Sequence, residues 1–310
     1  MDAPAKLDAG EQESWSREDS DFYSRGLRLG AWLYRPAAAA KAPLIVMAHG
    51  FAAERSFRLP AFAERFARAG MAVLVFDYRC FGDSEGHPRN WVSPKRHLQD
   101  WEAALAHGRA LEGVDASRIA LWGTSFSGGH VVVMASRHPE LSAVVAQVPF
   151  VDGRATLAEV SVGRALTLAA AGFDDLLRHV TRRRPRTIPV IGKPDSPALM
   201  NAPGCWEGYR AIVAKDSTWE NACPARILLS APSYRPTKVA RRVKCPVLLV
   251  AAGQDQLIPL EAVEKEASRI PRCRLITFDC DHFAPYLGEW FERTVAAETE
   301  FLTEQLGLSR

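Results

Sequence analysis

The sequence predicts an α/β fold, a mostly parallel central sheet covered by helices on both faces, with a segment inserted late in the chain. Three observations carry this. The short runs at 44–48, 71–76, 119–122, 143–146 and 246–252 are almost wholly apolar, as strands buried on both faces are. Stretches with apolar residues at helical spacing separate most of them, so strand and helix alternate. From residue 151 to about 240 that rhythm stops, and Pro, Gly, single aromatics and an arginine run take over. Residues 1–20 are therefore expected to be a flexible leader, 21–150 and 241–310 the sheet core, and 151–240 a lid above the sheet's carboxyl edge, where such sheets place their ligands.

Each element has its own signal. Residues 27–34 alternate apolar and polar, like a half-exposed strand or hairpin arm before Pro36. The alanines at 37–40 form a low-complexity link. The strand at 44–48 ends in His49-Gly50-Phe51. Residues 57–69 set Phe62 and Phe66 one turn apart and stop at Gly70, as a helix does. The strand at 71–76 delivers Asp77-Tyr78-Arg79, and residues 97–111 gather Leu98, Trp101 and Leu105 on one helical face. After the strand at 246–252 come a helix at 260–269, a strand at 274–278 and a last helix at 287–306. That helix turns Leu287, Trp290, Phe291, Val295, Phe301 and Leu302 toward a core.

Composition narrows the function. With 310 residues, 47% hydrophobic and 24% charged, the chain is long enough for a full core and ordinary for a globular protein. A net charge of +3 without interleaved basic and aromatic residues gives no reason to expect nucleic acid. No apolar run approaches membrane-spanning length, and residues 1–20 lack the order of a signal peptide. The cysteines at 80, 205, 223, 245, 273 and 280 form no C-x-x-C pair and no metal-spaced cluster with histidine. They read as reduced thiols in a cytoplasmic protein, with no metal site among them.

The chemistry centres on residues 117–136. An apolar strand at 119–122 runs into Gly123-Thr124-Ser125-Phe126-Ser127-Gly128-Gly129, and a helix follows to Arg137-His138-Pro139. A serine on so sharp a strand-to-helix bend needs small neighbours. They are present, although Ser127 stands where glycine is usual. A literal G-x-S-x-G match lies elsewhere, at Gly82-Asp83-Ser84-Glu85-Gly86, but His87-Pro88 follows it where a helix should start. Ser125 is the expected nucleophile and 82–86 a turn near the mouth of the site.

A serine hydroxyl needs a base, and the base an orienting acid. His282 follows the last strand and precedes the last helix, so topology brings it to the edge where Ser125 lies. His49 is expected to shape its loop and His130 to pack within its helix. Asp255 follows a strand through Gly253-Gln254 and is the expected acid, with Asp152 its rival and Asp281 too close in sequence to His282. The oxyanion of an attacked carbonyl needs fixed donors. The backbone N–H groups of Phe51 and Phe126 are placed to serve. Met200, Trp206, Tyr209 and Trp219 are candidates to line a pocket in the inserted segment, with packing inside that segment as the bland reading. The run Arg182 to Arg186 reads as a solvated face, with a grip on a substrate carboxylate or phosphate as the alternative.

On His49-Gly50-Phe51, residues 77–86, residues 123–129, Gly253-Gln254-Asp255 and Asp281-His282, the chain resembles the α/β-hydrolase superfamily over residues 22–308. The form of the bend is similar to a neighbourhood of dienelactone hydrolases, S33-peptidase-like proteins and polyketide acyltransferases. The resemblance implies a serine hydrolase without a cofactor. The function expected is hydrolysis of a carboxylic ester, thioester or lactone through an acyl-enzyme on Ser125, acting on a small-molecule acyl substrate. Acyl transfer from the same intermediate is the alternative. A peptidase and a binding protein without chemistry rank behind both, and a homodimer is left open.

Overall fold

The computed structural model describes residues 14–37, 41–158 and 160–308. Its strands and helices begin with β1 (Trp15–Asp19), β2 (Phe22–Ser24), β3 (Leu27–Leu29), β4 (Ala31–Pro36), β5 (Ala42–Ala48), α1 (Leu59–Arg68) and β6 (Ala72–Phe76). They continue with α2 (Pro94–Ala110), β7 (Val114–Thr124), α3 (Phe126–Ala135), β8 (Ala143–Gln147), α4 (Gly153–Ala158) and α5 (Val162–Val180). The chain then forms β9 (Thr187–Ile188), α6 (Cys205–Ile212), β10 (Cys223–Pro224), α7 (Ile227–Ser230), β11 (Val247–Ala252), α8 (Leu260–Ala267), β12 (Cys273–Phe278) and α9 (Gly288–Gln305).

Eight strands form one sheet in the order β1-β4-β6-β5-β7-β8-β11-β12. The pairings from β6 to β12 are parallel, while β1 and β4 join antiparallel at one edge. The inner parallel strands β5, β6, β8 and β11 bury every residue, and β7 buries its last six, residues 119–124, which is why these stretches are almost wholly apolar. Helices α1 and α9 pack on each other and on one face, while α2 and α3 pack together against the sheet as well. Phe62, Trp122 and Phe291 meet on the α1/α9 side, with ring centroids 5.1 Å apart for Phe62–Trp122 and 4.8 Å for Phe62–Phe291.

Two expectations about the N-terminal region change. Residues 15–19 were expected in a loose leader and instead form edge strand β1, paired with β4 from Trp15↔Pro36 to Asp19↔Trp32. The stretch 27–34 was expected as one strand and is two. Gly30 breaks it, because its N–H donates to the Ser84 hydroxyl (2.9 Å) while its carbonyl accepts from Asp77 N (3.0 Å). A Cβ there would stand 2.4 Å from an Arg55 guanidinium nitrogen. The hairpin β2–β3 turns through Arg25 and Gly26, both at positive φ, the geometry favoured by two-residue hairpin loops. Residues 1–13 of the leader and the alanines 38–40 lie outside the described residues.

Between β8 and β11 the chain inserts α4 to α7 with the small β9–β10 ladder. The 19-residue helix α5 is the largest element there and was not anticipated. Asp175, fully buried, anchors it: its carboxylate accepts from Arg226 Nε (2.6 Å), Arg226 N (2.9 Å) and Arg186 N (2.8 Å). Arg182 to Arg184 are exposed beyond its end, the solvated face expected of them, and Arg186 pairs with Asp174 at 3.2 Å.

Candidate active site

The carboxyl ends of the parallel strands converge on Ser125. It sits at φ 53° and ψ −118° between β7 and α3, a strained conformation for a residue with a side chain. The bend is tight because glycines let its parts touch. A Cβ on Gly123 would lie 2.4 Å from the Ser127 carbonyl oxygen, and one on Gly129 2.2 Å from the Phe150 oxygen. The Ser125 N–H donates to Gln147 O (2.8 Å) and its carbonyl accepts from Phe150 N (2.8 Å), so neighbouring β8 clamps the bend from both sides.

Ser127, the departure from glycine, fits without crowding. Its buried hydroxyl is 2.7 Å from the Tyr78 hydroxyl, which also accepts from Trp101 Nε1 at 2.9 Å. Burial pushes the Tyr78 phenol well above its ordinary value despite these two bonds. Behind them, His97 stacks on Tyr78 at 4.0 Å and shares a 3.2 Å hydrogen bond with His130. His130 in turn bonds to the Tyr234 hydroxyl at 2.6 Å. Burial lowers both histidines, His130 to about 3 and His97 well below its usual value. Both are packing residues, as His130 was expected to be.

The three side chains expected to act together lie together. His282 Nε2 is 3.1 Å from Ser125 Oγ, and His282 Nδ1 is 2.6 Å from Asp255 Oδ2. Asp255 Oδ1 accepts from Leu257 N (2.8 Å) and Ile258 N (2.9 Å). Those two bonds fix the carboxylate in the turn after β11. The imidazole and carboxylate are nearly buried, with side chains 5% and 3% exposed, which strengthens their interaction.

The rivals are engaged elsewhere. Asp152 is held by Arg235 in a fork with contacts of 2.8 and 2.9 Å. Asp281 accepts from Phe283 N and Ala284 N, fixing the loop that presents His282. The Ser84 hydroxyl donates to Asp77 O (2.8 Å) and accepts from Gly30 N. The 82–86 turn lines neither cavity described below, so it braces the sheet edge instead of bordering the site mouth. His49 is buried, its Nδ1 3.0 Å from Gly50 O, and it shapes the loop that follows β5.

That loop passes close to the serine, since a Cβ on Gly50 would lie 3.0 Å from the Ser125 Cβ. Tyr209 donates its hydroxyl to Phe51 O (3.1 Å), and Trp219 Nε1 donates to Ala52 O (2.7 Å). Their rings stack at 5.2 Å. Of the four aromatic and thioether candidates in the insertion, Met200 lines both cavities and Tyr209 the smaller one. Trp206 and Trp219 line neither: Trp206 sits under the Arg210 guanidinium, and Trp219 braces the loop.

Two spaces open from Ser125. One, of about 20 Å³, is bordered by His49, Gly50, Thr124, Ser125, His282 and Phe283 among others. The other, of about 610 Å³, is walled by Phe51, Phe126, Phe150 and Leu257 below and by residues of α4 and α5 above. Leu157, Leu166 and Leu168 belong to the upper wall, Ile258 lines the same space, and among the described residues Thr156 and Ser125 supply its only hydroxyls. Sequence reasoning missed Leu257 and Ile258. The run Leu257-Ile258-Pro259 beside the expected acid was the available signal.

A serine bend after β7, an acid after β11 and a histidine after β12, all at one edge of a mainly parallel sheet, make the protein an α/β-hydrolase. Within that class the chain belongs to the family described as serine aminopeptidase, S33, whose model matches residues 39–280. It is 39% identical to the quorum-quenching protein AidA of Acinetobacter baumannii, over 92% of this chain and 93% of that one. It is 27% identical to the thiohydrolase aneE of Aspergillus aculeatus, with 91% of each chain covered. The solved structure of DcsB in complex with its substrate analogue shares the fold, with a TM-score of 0.83 at 24% identity, covering 94% of this chain and 100% of that one. Among the described residues, no helix is long and apolar enough to cross a membrane.

Proposed function

We propose that the protein hydrolyses esters or thioesters of an apolar acyl group through an acyl-enzyme on Ser125. The observation that carries this reading is the hydrogen-bonded line Ser125–His282–Asp255 opening on an apolar cavity of about 610 Å³. His282 Nε2 takes the hydroxyl proton as Oγ attacks the acyl carbon, and Asp255 holds the imidazolium so formed. The tetrahedral oxyanion is received by the N–H groups of Phe126 and Phe51. The peptide plane supports the second donor: Gly50 O faces His49 Nδ1 and Ala53 N, so in the same trans unit the Phe51 N–H points the opposite way. As the oxyanion collapses, His282 returns the proton to the departing alcohol or thiol. Water then repeats the sequence to release the acid.

The smaller cavity, about 20 Å³ beside His282 and Ser125, is large enough to admit the attacking water. Acyl transfer is the competing outcome, detected as a new ester when an alcohol is added. Residues 151–240 serve as a lid, because α4 and α5 roof the larger cavity. The thiohydrolase relative supports thioesters among the substrates, and six unpaired cysteines support a reducing, cytoplasmic setting.

The test is fluorophosphonate labelling followed by peptide mapping. The label is expected on the peptide containing Ser125, with turnover of p-nitrophenyl esters abolished in Ser125→Ala and retained in Ser84→Ala. A label on Ser84, or activity surviving Ser125→Ala, overturns the reading.

A further inference from the structure

Exposed apolar surface is concentrated on one element. Among the described residues, eight large hydrophobic side chains are exposed; Tyr23 is one, and the other seven are Leu157 in α4 and Val162, Leu166, Phe173, Leu176, Leu177 and Val180 in α5. Together these seven expose roughly 800 Å², about what one partner contributes to a stable interface. A patch of that size on a protein surface marks an interaction site.

The spacing identifies the occupant. Val162, Leu166, Ala169, Phe173, Leu176 and Val180 recur at alternating steps of four and three, the seam by which one helix packs along another. Laid antiparallel on a second copy about a twofold axis near Ala171, the seam matches itself. Val162 meets Val180, Leu166 meets Leu176, and small Ala169 meets large Phe173, so bulk opposes space at each level. No unpaired charge lies in the way, since each charged residue of α5 on this stretch has a partner in its own chain. Arg164 donates to Ser196 O and Ala198 O, Asp174 pairs with Arg178 and Arg186, and Asp175 is buried against Arg226.

We propose that α5 is the contact of a symmetric homodimer, in which the C-terminal half of each α5 covers the opening of the other copy's large cavity. The cover follows from the register. Val162 and Leu166, which line that cavity and are 77% and 67% exposed, are the residues that meet Val180 and Leu176 of the second copy. The dimer stands on surface and spacing alone; only the clause about covering a substrate cavity rests on the hydrolase reading above. The readouts below are masses and crosslinks, so they decide the dimer whether or not the chemistry is as proposed.

The experiment is sedimentation of the full chain from about 1 to 50 μM, with Phe173→Glu, Val180→Glu and a Tyr23→Glu control. Phe173, Val180 and Tyr23 are solvent-exposed in one copy, so these variants are expected to fold, which circular dichroism checks. Wild type and Tyr23→Glu should sediment as dimers, and the two α5 variants as monomers. Register is read by mild oxidation of Val162→Cys/Val180→Cys. The double variant should form an intermolecular disulfide and each single variant none. A wild-type monomer at every concentration, or a dimer indifferent to both α5 variants, overturns the proposal. So does crosslinking of Val162→Cys alone, which signals parallel pairing. A monomer that instead binds phosphatidylglycerol vesicles, and loses that binding in Phe173→Glu, also overturns it and gives the face to a lipid surface met by Arg182 to Arg184.

Discussion

Gly50 leaves no room for a side chain beside Ser125: a methyl group on Gly50 would stand 3.0 Å from the serine Cβ, 3.2 Å from Thr124 O and 3.6 Å from the serine Oγ. Nothing there is a flexible chain end, so either the loop after β5 or the bend after β7 must shift. Gly50→Ala should therefore lower kcat for a p-nitrophenyl ester by about tenfold, because a shift of a few tenths of an ångström falls short of the 1 Å misplacement that costs about 10²-fold. Its melting temperature should stay within a few degrees of wild type. A kcat within threefold of wild type would show that the loop's position does not matter to the reaction.

Asp255 and Asp152 separate by their partners. Asp255→Asn leaves a side chain of the same shape but unable to hold the histidine in the required tautomer, and should cut kcat by roughly 10⁴-fold. Asp152→Asn weakens the largely buried Arg235 fork and leaves Oδ1 to accept from Arg154 N, so the rate should be unchanged and the cost about 1–3 kcal/mol of stability. Steady-state kinetics and thermal melts of the two variants check this. Equal losses of rate would return Asp152 to contention.

Cavity volume should set acyl preference. Ala165 lines the large space from α5, and a tryptophan there would narrow it. With a series of p-nitrophenyl esters, Ala165→Trp should keep its activity on acetate and lose at least tenfold in kcat/KM on decanoate. An unchanged profile would mean that the acyl chain lies elsewhere.

Stability should depend on pH through Glu298. It is a fully buried residue of α9, takes a 2.9 Å hydrogen bond from Trp122 Nε1, and burial lifts its carboxyl from the usual 4.5 to about 8. The folded protein thus keeps a proton that the unfolded chain releases above about pH 4.5. Stability falls as pH rises from there toward 8, by roughly 1.4 kcal/mol per unit from this group. Glu298→Gln keeps an acceptor for Trp122 and removes that slope, so its melting temperature should gain on wild type steadily between pH 5 and 8. Buried His130 acts in the opposite sense: it excludes a proton that the unfolded chain takes up, and its contribution is lost as pH falls below about 6.5. A constant difference between Glu298→Gln and wild type across this range would place a charged Glu298 in the folded protein.

How legible each part was depended on whether its cause lay nearby in sequence. Ser125 could be read because the demand for small neighbours falls on residues next to it, and context outweighed the literal match around Ser84. His282 and Asp255 could be read because a parallel sheet sends every strand's carboxyl end to one edge. β1 could not, for its residues are polar and mostly exposed; what makes them a strand is the row of backbone groups offered by β4. Trp219 was named for its ring, yet its consequence lies in a hydrogen bond to Ala52, 167 residues earlier. Helix α5 carries its signal in the sequence, with Val162, Leu166, Phe173 and Val180 at helical spacing; what could not be read is that this stripe turns outward, against the assumption that apolar periodicity marks a core.

The struts from Tyr209 and Trp219 to the carbonyls of Phe51 and Ala52 tie two kinds of adaptation together. Whatever reshapes the inserted segment to welcome a different acyl group also pulls on the backbone proposed to steady the reaction's negative charge. Selectivity and catalytic power in this protein are therefore not free to drift apart, and a lineage changing its diet would have to repair its rate in the same few steps.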